Sequence, residues 1–257
     1  MRVARRYLPP LLLLAALIGA WELYVDLKGA TFSLILPAPH QVASSLYDDR
    51  SLLWSSFLVT AREVLLGMLV AAAAAVLLAA AIHFSETVRR AAYPLVIGSQ
   101  AVPVVILSPV LVFWLGFGIL PKLVVVALVS FFSIVVTTLE GLWSVDPDLL
   151  KLMRTFDAPR PRTFWHVEMP TALPGVFTGA KIAVAVSVIG AVFAEYTGSN
   201  SGLGYLILVS TPQLLTARAY AAVVILSVFA IALFGLLALA ERVALPWAYE
   251  TRGESSA

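Results

Sequence analysis

The chain lacks cysteine altogether. That excludes a disulfide framework and any thiol chemistry or thiolate metal site. Charge is scarce as well. Only 12% of the 257 residues are charged, against about 25% in a soluble domain. Such a chain cannot clothe a water-facing surface. A net charge of +2 is too small to point to nucleic acid. No long polar stretch exists in which a soluble domain could sit, so one membrane domain over residues 1–257 is expected. No G-x-x-x-x-G-K-[ST] phosphate loop occurs, so any ATP hydrolysis belongs to another chain. No Asp or Glu falls in the middle of an apolar run, and the two halves show no obvious repeat. Both absences argue against an ion-gradient-driven secondary transporter or channel. A membrane enzyme needs paired carboxylates or a Ser-His-Asp grouping near an interface, and neither is visible.

What is present is apolar sequence, 61% of the chain, with a mean hydropathy of +0.95. The solvent is largely lipid. Six runs stand out: Leu8–Leu27, Leu52–Phe84, Ala91–Leu115, Ile119–Trp143, Thr171–Tyr196 and Ala219–Leu245. Each is long enough to cross ~30 Å of hydrocarbon as a helix. The fold class expected is therefore all-α, a polytopic membrane protein with six transmembrane helices. The first run has a basic start and resembles a signal peptide in outline. It is long and has no clear small-x-small cleavage site before Glu22, so it reads as an uncleaved span. Pro94, Pro103 and Pro109 interrupt the third run and predict packing kinks there.

Orientation follows from Lys and Arg. The loops on the N-terminal side hold Arg2, Arg5, Arg6, Arg89, Arg90, Lys151, Arg154, Arg160, Arg162, Arg242 and Arg252. The opposite side holds Lys28, Arg50, Arg62, Lys122 and Arg218, and Lys181 lies within a run. The excess places both termini in the cytoplasm. On the outer side, Val42–Tyr47 reads as a short amphipathic stretch. Leu203–Val209 reads as a short helix dipping into the membrane.

The longest cytoplasmic loop, 144–170, is patterned. Asp146-Pro147 starts a helix that should end near Phe156. Asp157-Ala158-Pro159 is a turn, since Pro159 disfavours helix at Ala158. A second short helix should cover Thr163–Val167, closed by Pro170. Leu150, Met153, Phe156, Phe164 and Trp165 would be a liability on a solvated loop, and such a patch usually marks a partner surface. The competing reading packs them against the chain's own spans.

At these residues the chain resembles the permeases of ABC importers of type I architecture. Their mark is Glu-Ala-Ala, three residues, Gly, nine residues, then Ile-x-Leu-Pro. The frame fits without a gap. Lys151-Leu152-Met153 stand at the triplet, Asp157 at the Gly, and Val167, Met169 and Pro170 at the closing motif. The triplet itself is replaced, and Lys151 reverses the charge of its Glu. Asp is among the few residues that tolerate the positive φ a Gly supplies. The resemblance extends from LPAPHQV at Leu36–Val42 through ALPGVFTGAKIAVAVSVIGAVFAEYTG to the last run. It implies a bacterial cytoplasmic (inner) membrane and two permease copies around a central pathway. It further implies two separate ATPase subunits that use ATP, and an extracytoplasmic substrate-binding protein. The permease itself would bind no cofactor. The coupling contact would involve Lys151, Met153, Phe156, Asp157, Ala158, Phe164, Val167, Met169 and Pro170. Within the family the likeness is to the branch serving nitrate, sulfonates, taurine, and pyrimidine thiamine precursors or riboflavin. The runs GFGILPK at Gly116–Lys122 and AEYTGSNSGLGYLI at Ala194–Ile207 are closest to the pyrimidine and flavin members.

Polar residues inside spans are costly and are functional candidates. Lys181, ~15 Å along its helix from Pro170, suits a membrane anchor that snorkels inward. Glu195 lies near the outer end of the same run. Glu195, Arg62 and Glu63 are candidates to cap or pair with one another at a gate. Gln100, Ser130 and Ser187 are the candidates for the pathway; Phe131 and Phe132 are able to stack on a flat substrate, although facing lipid is the commoner fate of such rings. His40, His83 and His166 are scattered and suggest no metal site.

Overall fold

The computed structural model describes residues 2–248. The side chains of Arg2, Arg5 and Arg6, and all of Arg252, lie outside the described residues. The described chain is helical, as lipid demands of a backbone that must satisfy its own hydrogen bonds. In order, the helices are α1 Arg2–Lys28, α2 Ala30–Ser33, α3 Pro39–Asp48, α4 Arg50–Phe84, α5 Glu86–Ser99, α6 Val104–Leu115, α7 Ile119–Trp143, α8 Pro147–Thr155, α9 Arg160–Thr163, α10 Met169–Gly198, α11 Leu203–Ser210 and α12 Thr216–Ala244. Five stretches are long and apolar enough to cross a membrane: Leu8–Lys28, Arg50–Phe84, Ile119–Trp143, Arg160–Gly198 and Thr216–Ala244. They correspond to five of the six expected spans. α3 and α11 fall where a short amphipathic helix and a short dipping helix were expected.

The remaining expected span, Ala91–Leu115, is not one helix. It is α5 and α6 with non-helical backbone at 100–103 between them. Of its three prolines only Pro103 breaks the helix. Pro103 has no N–H to give, and it pushes Val102 out of the helical region. Pro94 and Pro109 stay inside α5 and α6.

The chain divides into two compact units. One comprises Met1–Val59 with Asn200–Ser227, the other Thr60–Ser199 with Val228–Ala257. In the first, the Trp21 and Tyr220 rings lie 6.2 Å apart. Arg218 donates two hydrogen bonds to Asp49, at 3.0 and 2.7 Å. In the second, α7 and α10 pack as one seam. The seam is made close by Gly175-x-x-x-Gly179 on α10. A Cβ at Gly179 would stand 2.2 Å from Thr137 Oγ1, and one at Gly175 would stand 2.3 Å from the Thr137 carbonyl oxygen. Small residues four apart let two spans approach backbone to backbone, the usual device where lipid removes the hydrophobic drive for helices to associate.

Candidate functional site

The loop between α7 and α10 begins as its sequence suggests. The Asp146 carboxylate accepts the Asp148 N–H at 2.8 Å and caps α8. α8 ends at Thr155, and Asp157 adopts φ 52°. The Asp157 N–H bonds the Arg154 carbonyl and the Ala158 N–H bonds the Met153 carbonyl. That pair of bonds is the Schellman C-cap, which needs a left-handed residue where Asp157 stands. The second half departs from expectation. α9 runs through a π-helical turn, Phe164–Glu168, straight into α10. Pro170 therefore does not close a separate helix. It sits inside one continuous helix and has no N–H to give to the preceding turn, which is the wide one. The wide turn just before it ends with the Met169 N–H reaching back to the Phe164 carbonyl.

The exposed apolar face also differs in phase. Leu149, Leu152 and Phe156, 47%, 49% and 72% exposed, are spaced to share one side of α8, and Trp165 is exposed beyond the turn. Leu150, Met153, Ala158, Val167, Met169 and Pro170 are half-buried. Phe164 is only 5% exposed. Its ring lies 4.7 Å from that of Phe84 and beside His83, at the end of α4. Phe164 therefore belongs to this chain's own core and cannot be offered to a partner. Next to it the His83 Nε2 and Glu168 Oε2 stand 3.0 Å apart. Lys151 pairs with Asp148 at 2.7 Å, fully in the open.

The charged residues that are buried or part-buried within the spans of the second unit gather into two sets. Glu63 does not pair with Arg62. Neighbours in sequence point to different sides of a helix, and Arg62 is exposed while Glu63 is 1% exposed. Glu63 pairs instead with Lys122, whose ammonium also donates to Ser199 Oγ at 2.8 Å. Glu195, 0% exposed, accepts from the Thr60 hydroxyl at 2.6 Å and lies beside Glu63. Lys122, read from the sequence as a loop residue, is thus in the first turns of α7 and buried. The second set is Lys181 with Glu241, 2.7 Å apart, joining α10 to α12. The sequence left Lys181 an anchor without a named partner. Each set is a charge in an apolar medium compensated by a partner, which is how such residues persist in membranes.

In the same unit a cavity of about 670 Å³ opens between α4, α5, α6, α7 and α10. Gln100, Phe131 and Phe132 line it, with Ser99 beside the break between α5 and α6. Ser130 and Ser187 do not. Both are wholly buried on the packed sides of α7 and α10, and Ser187 donates to the Val184 carbonyl at 2.7 Å. The Gly-x-x-x-Gly signal on α10 shows which side of the helix that is.

In the first unit, His40 comes beside Glu22 and Asp26, close enough for the three to share an ion. The sequence had His40 alone. The Glu22 carboxylate already accepts the backbone N–H of His40 at 3.2 Å, in the first turn of α3. A carboxylate there complements the helix dipole. Asp49 is held below the usual carboxylate range by the Arg218 guanidinium.

Residues 63–243 match the family of binding-protein-dependent transport system inner membrane components. Similar proteins include the formylaminopyrimidine transport permease protein ThiX of Halalkalibacterium halodurans. It is 33% identical over 248 residues, spanning 96% of this chain and 98% of that protein. The riboflavin transport system permease protein RibX of Chloroflexus aurantiacus is 31% identical over 236 residues, 91% of this chain and 88% of that one. The taurine transport system permease protein TauC of Escherichia coli is 28% identical over 243 residues, 91% and 87%. The chain belongs to the family of binding-protein-dependent inner-membrane transport components. It is a multi-pass permease subunit of an ABC importer for small solutes, a transport subunit and not an enzyme.

Proposed function

We propose that this chain is one of two identical permease subunits that enclose the pathway of an ATP-driven importer. Residues 1–257 form one permease domain with both termini in the cytoplasm. Two ATPase subunits bind on that side, and a binding protein delivers the solute on the other. ATP binding closes the ATPases and moves the loop 144–170, which switches the pathway between outward- and inward-facing states. The solute is a pyrimidine thiamine precursor, a riboflavin-like compound, a sulfonate, taurine or nitrate.

The observation that carries the coupling role is the stripe Leu149, Leu152 and Phe156. It stands on a loop that Arg154, Arg160 and Arg162, all exposed, hold in water. Nothing apolar among the described residues covers it, so a groove on a partner supplies the burial. Asp157 sets the turn that presents Phe156, and Ala158 and Met153 pack beneath. Lys151 stands at the rim, and Val167, Met169 and Pro170 transmit the movement into α10. Glu195, with Glu63 and Lys122, ties the outer ends of α4, α7 and α10. Lys181 ties α10 to α12, and Gln100 lies on the pathway with Ser130 and Ser187 in the seam behind it.

The test is co-purification and transport. In the native operon context, the Phe156→Asp variant inserts in the membrane but loses the ATPase subunits or their coupling to uptake. If Phe156→Asp and Leu152→Asp both assemble and transport as the unaltered protein does, the loop is not the coupling element. Crosslinking in native membranes should yield a permease dimer. Only monomer, with transport intact, would exclude two copies.

A further inference from the structure

We propose that the cavity in the second unit binds an uncharged, planar heterocycle that carries amide-like hydrogen-bonding edges. This rests on the permease reading and narrows its solute to one chemical class. Four observations carry it. The volume, about 670 Å³, is within the range of ~300–1,000 Å³ that small-molecule sites occupy. Three phenylalanines stand on its wall, Phe131 and Phe132 from α7 and Phe193 from α10. Phenyl rings gain most from a flat π-system in stacked or edge-on contact.

The polar groups gather at one side. Ser99, Gln100 and Val102 line the cavity where α5 gives way to α6. A carboxamide both donates and accepts, and it supplies the donor here, since the Gln100, Ala101 and Val102 N–H groups at the break already bond the Ile97, Gly98 and Ser99 carbonyls. Non-helical backbone at membrane depth is tolerated where it lines a cavity. A ring with alternating nitrogens and carbonyl or amino groups offers the matching edge.

The fourth observation is negative charge balance. None of the described residues lining the cavity is ionisable. A sulfonate, carboxylate or nitrate placed there would be an anion in an apolar wall without a cation, which is heavily disfavoured. The buried Lys122 and the part-buried Lys181 are both already paired with glutamates. The wall is suited to a neutral ring and unsuited to an anion.

The test uses the complex purified in nanodiscs with its own ATPase subunits, without the binding protein. Riboflavin is titrated and its fluorescence anisotropy followed, since a flavin held in the complex tumbles more slowly. A 4-aminopyrimidine and taurine are added as competitors. Expected is a saturable rise in anisotropy that the aminopyrimidine reverses and taurine does not. Phe132→Ala and Gln100→Ala should each weaken it about tenfold, with the ATPase subunits still attached. Displacement by taurine overturns the proposal, and so does displacement by added phospholipid, which makes the cavity a lipid site. Absence of binding by both heterocycles overturns it, as does binding indifferent to both substitutions. Loss of the ATPase subunits from the unaltered chain sinks the importer reading instead, while binding is still read on the same sample.

Discussion

The charged cluster and the cavity are built from the same helices to opposite ends. α4, α7 and α10 supply Glu63, Lys122 and Glu195 to the cluster, and Leu78, the Phe131–Phe132 pair and Phe193 to the cavity. The cluster is closed. Its two glutamates and one lysine are all under 10% exposed, with Thr60 donating to Glu195 and Lys122 donating to Ser199. The cavity is open and holds no charge. The difference teaches where an apolar protein can place ions. A charge persists where partners are permanent, because removing one leaves the other stranded in low dielectric. A site whose occupant comes and goes would strand its charge in every cycle, so a neutral wall suits a transient occupant.

The largest effect should come from breaking the cluster on one side. Lys122→Ala leaves Glu63 and Glu195 together without a cation and should cost about 3–5 kcal/mol. Thermal unfolding of the purified complex measures it. Lys122→Met with Glu63→Gln should recover most of that loss, since an uncharged pair needs no compensation. A single variant that unfolds like the unaltered protein would mean that the cluster holds nothing together.

The seam behind the cavity comes next. Gly179→Ala sets a methyl against Thr137 and the Ile134 backbone, and overpacking of this kind costs about 1–3 kcal/mol. The same change at Gly98, which faces open space, should cost nothing measurable. Equal expression and melting of the two variants would show that the α7–α10 seam gives way without cost.

The loop separates binding from folding. Phe156→Asp should leave melting of the chain unchanged while weakening the ATPase by about 2 kcal/mol or more, the scale of an interface hot spot. Phe164→Asp should do the reverse of a surface change and lower the yield of folded chain, because its ring packs against Phe84. Gel filtration of the two variants side by side distinguishes them. The smallest effect is Asp157→Gly. Gly adopts the left-handed cap at least as well, so stability and transport should stay within about 0.5 kcal/mol of the original.

Much was legible in the residues because it is decided locally. An apolar chain in lipid must bond its own backbone, so helices, and their positions, follow from runs of hydrophobic sequence. Asp146 as a cap and Asp157 as the left-handed turn are matters of a few bonds. The break at Pro103 is of the same kind, yet it could not be told from the neighbouring prolines. All three remove a donor, and only the surroundings decide whether the helix absorbs the loss.

The pairings were decided by the tertiary structure. Glu63 is 59 residues from Lys122, and Lys181 is 60 from Glu241. Nothing in either neighbourhood names the other, since a charge in a span takes whichever partner helix packing brings. The rotation of each helix is equally non-local. It puts Ser130 and Ser187 in the seam and Gln100 on the cavity, and it turns Phe164 inward while Leu149, Leu152 and Phe156 face out. Composition determined that this chain lives in a membrane as helices. Which faces of α7 and α10 meet was left to the close approach at Gly141, Gly175 and Gly179, because there the two backbones come near enough to set one helix against the other.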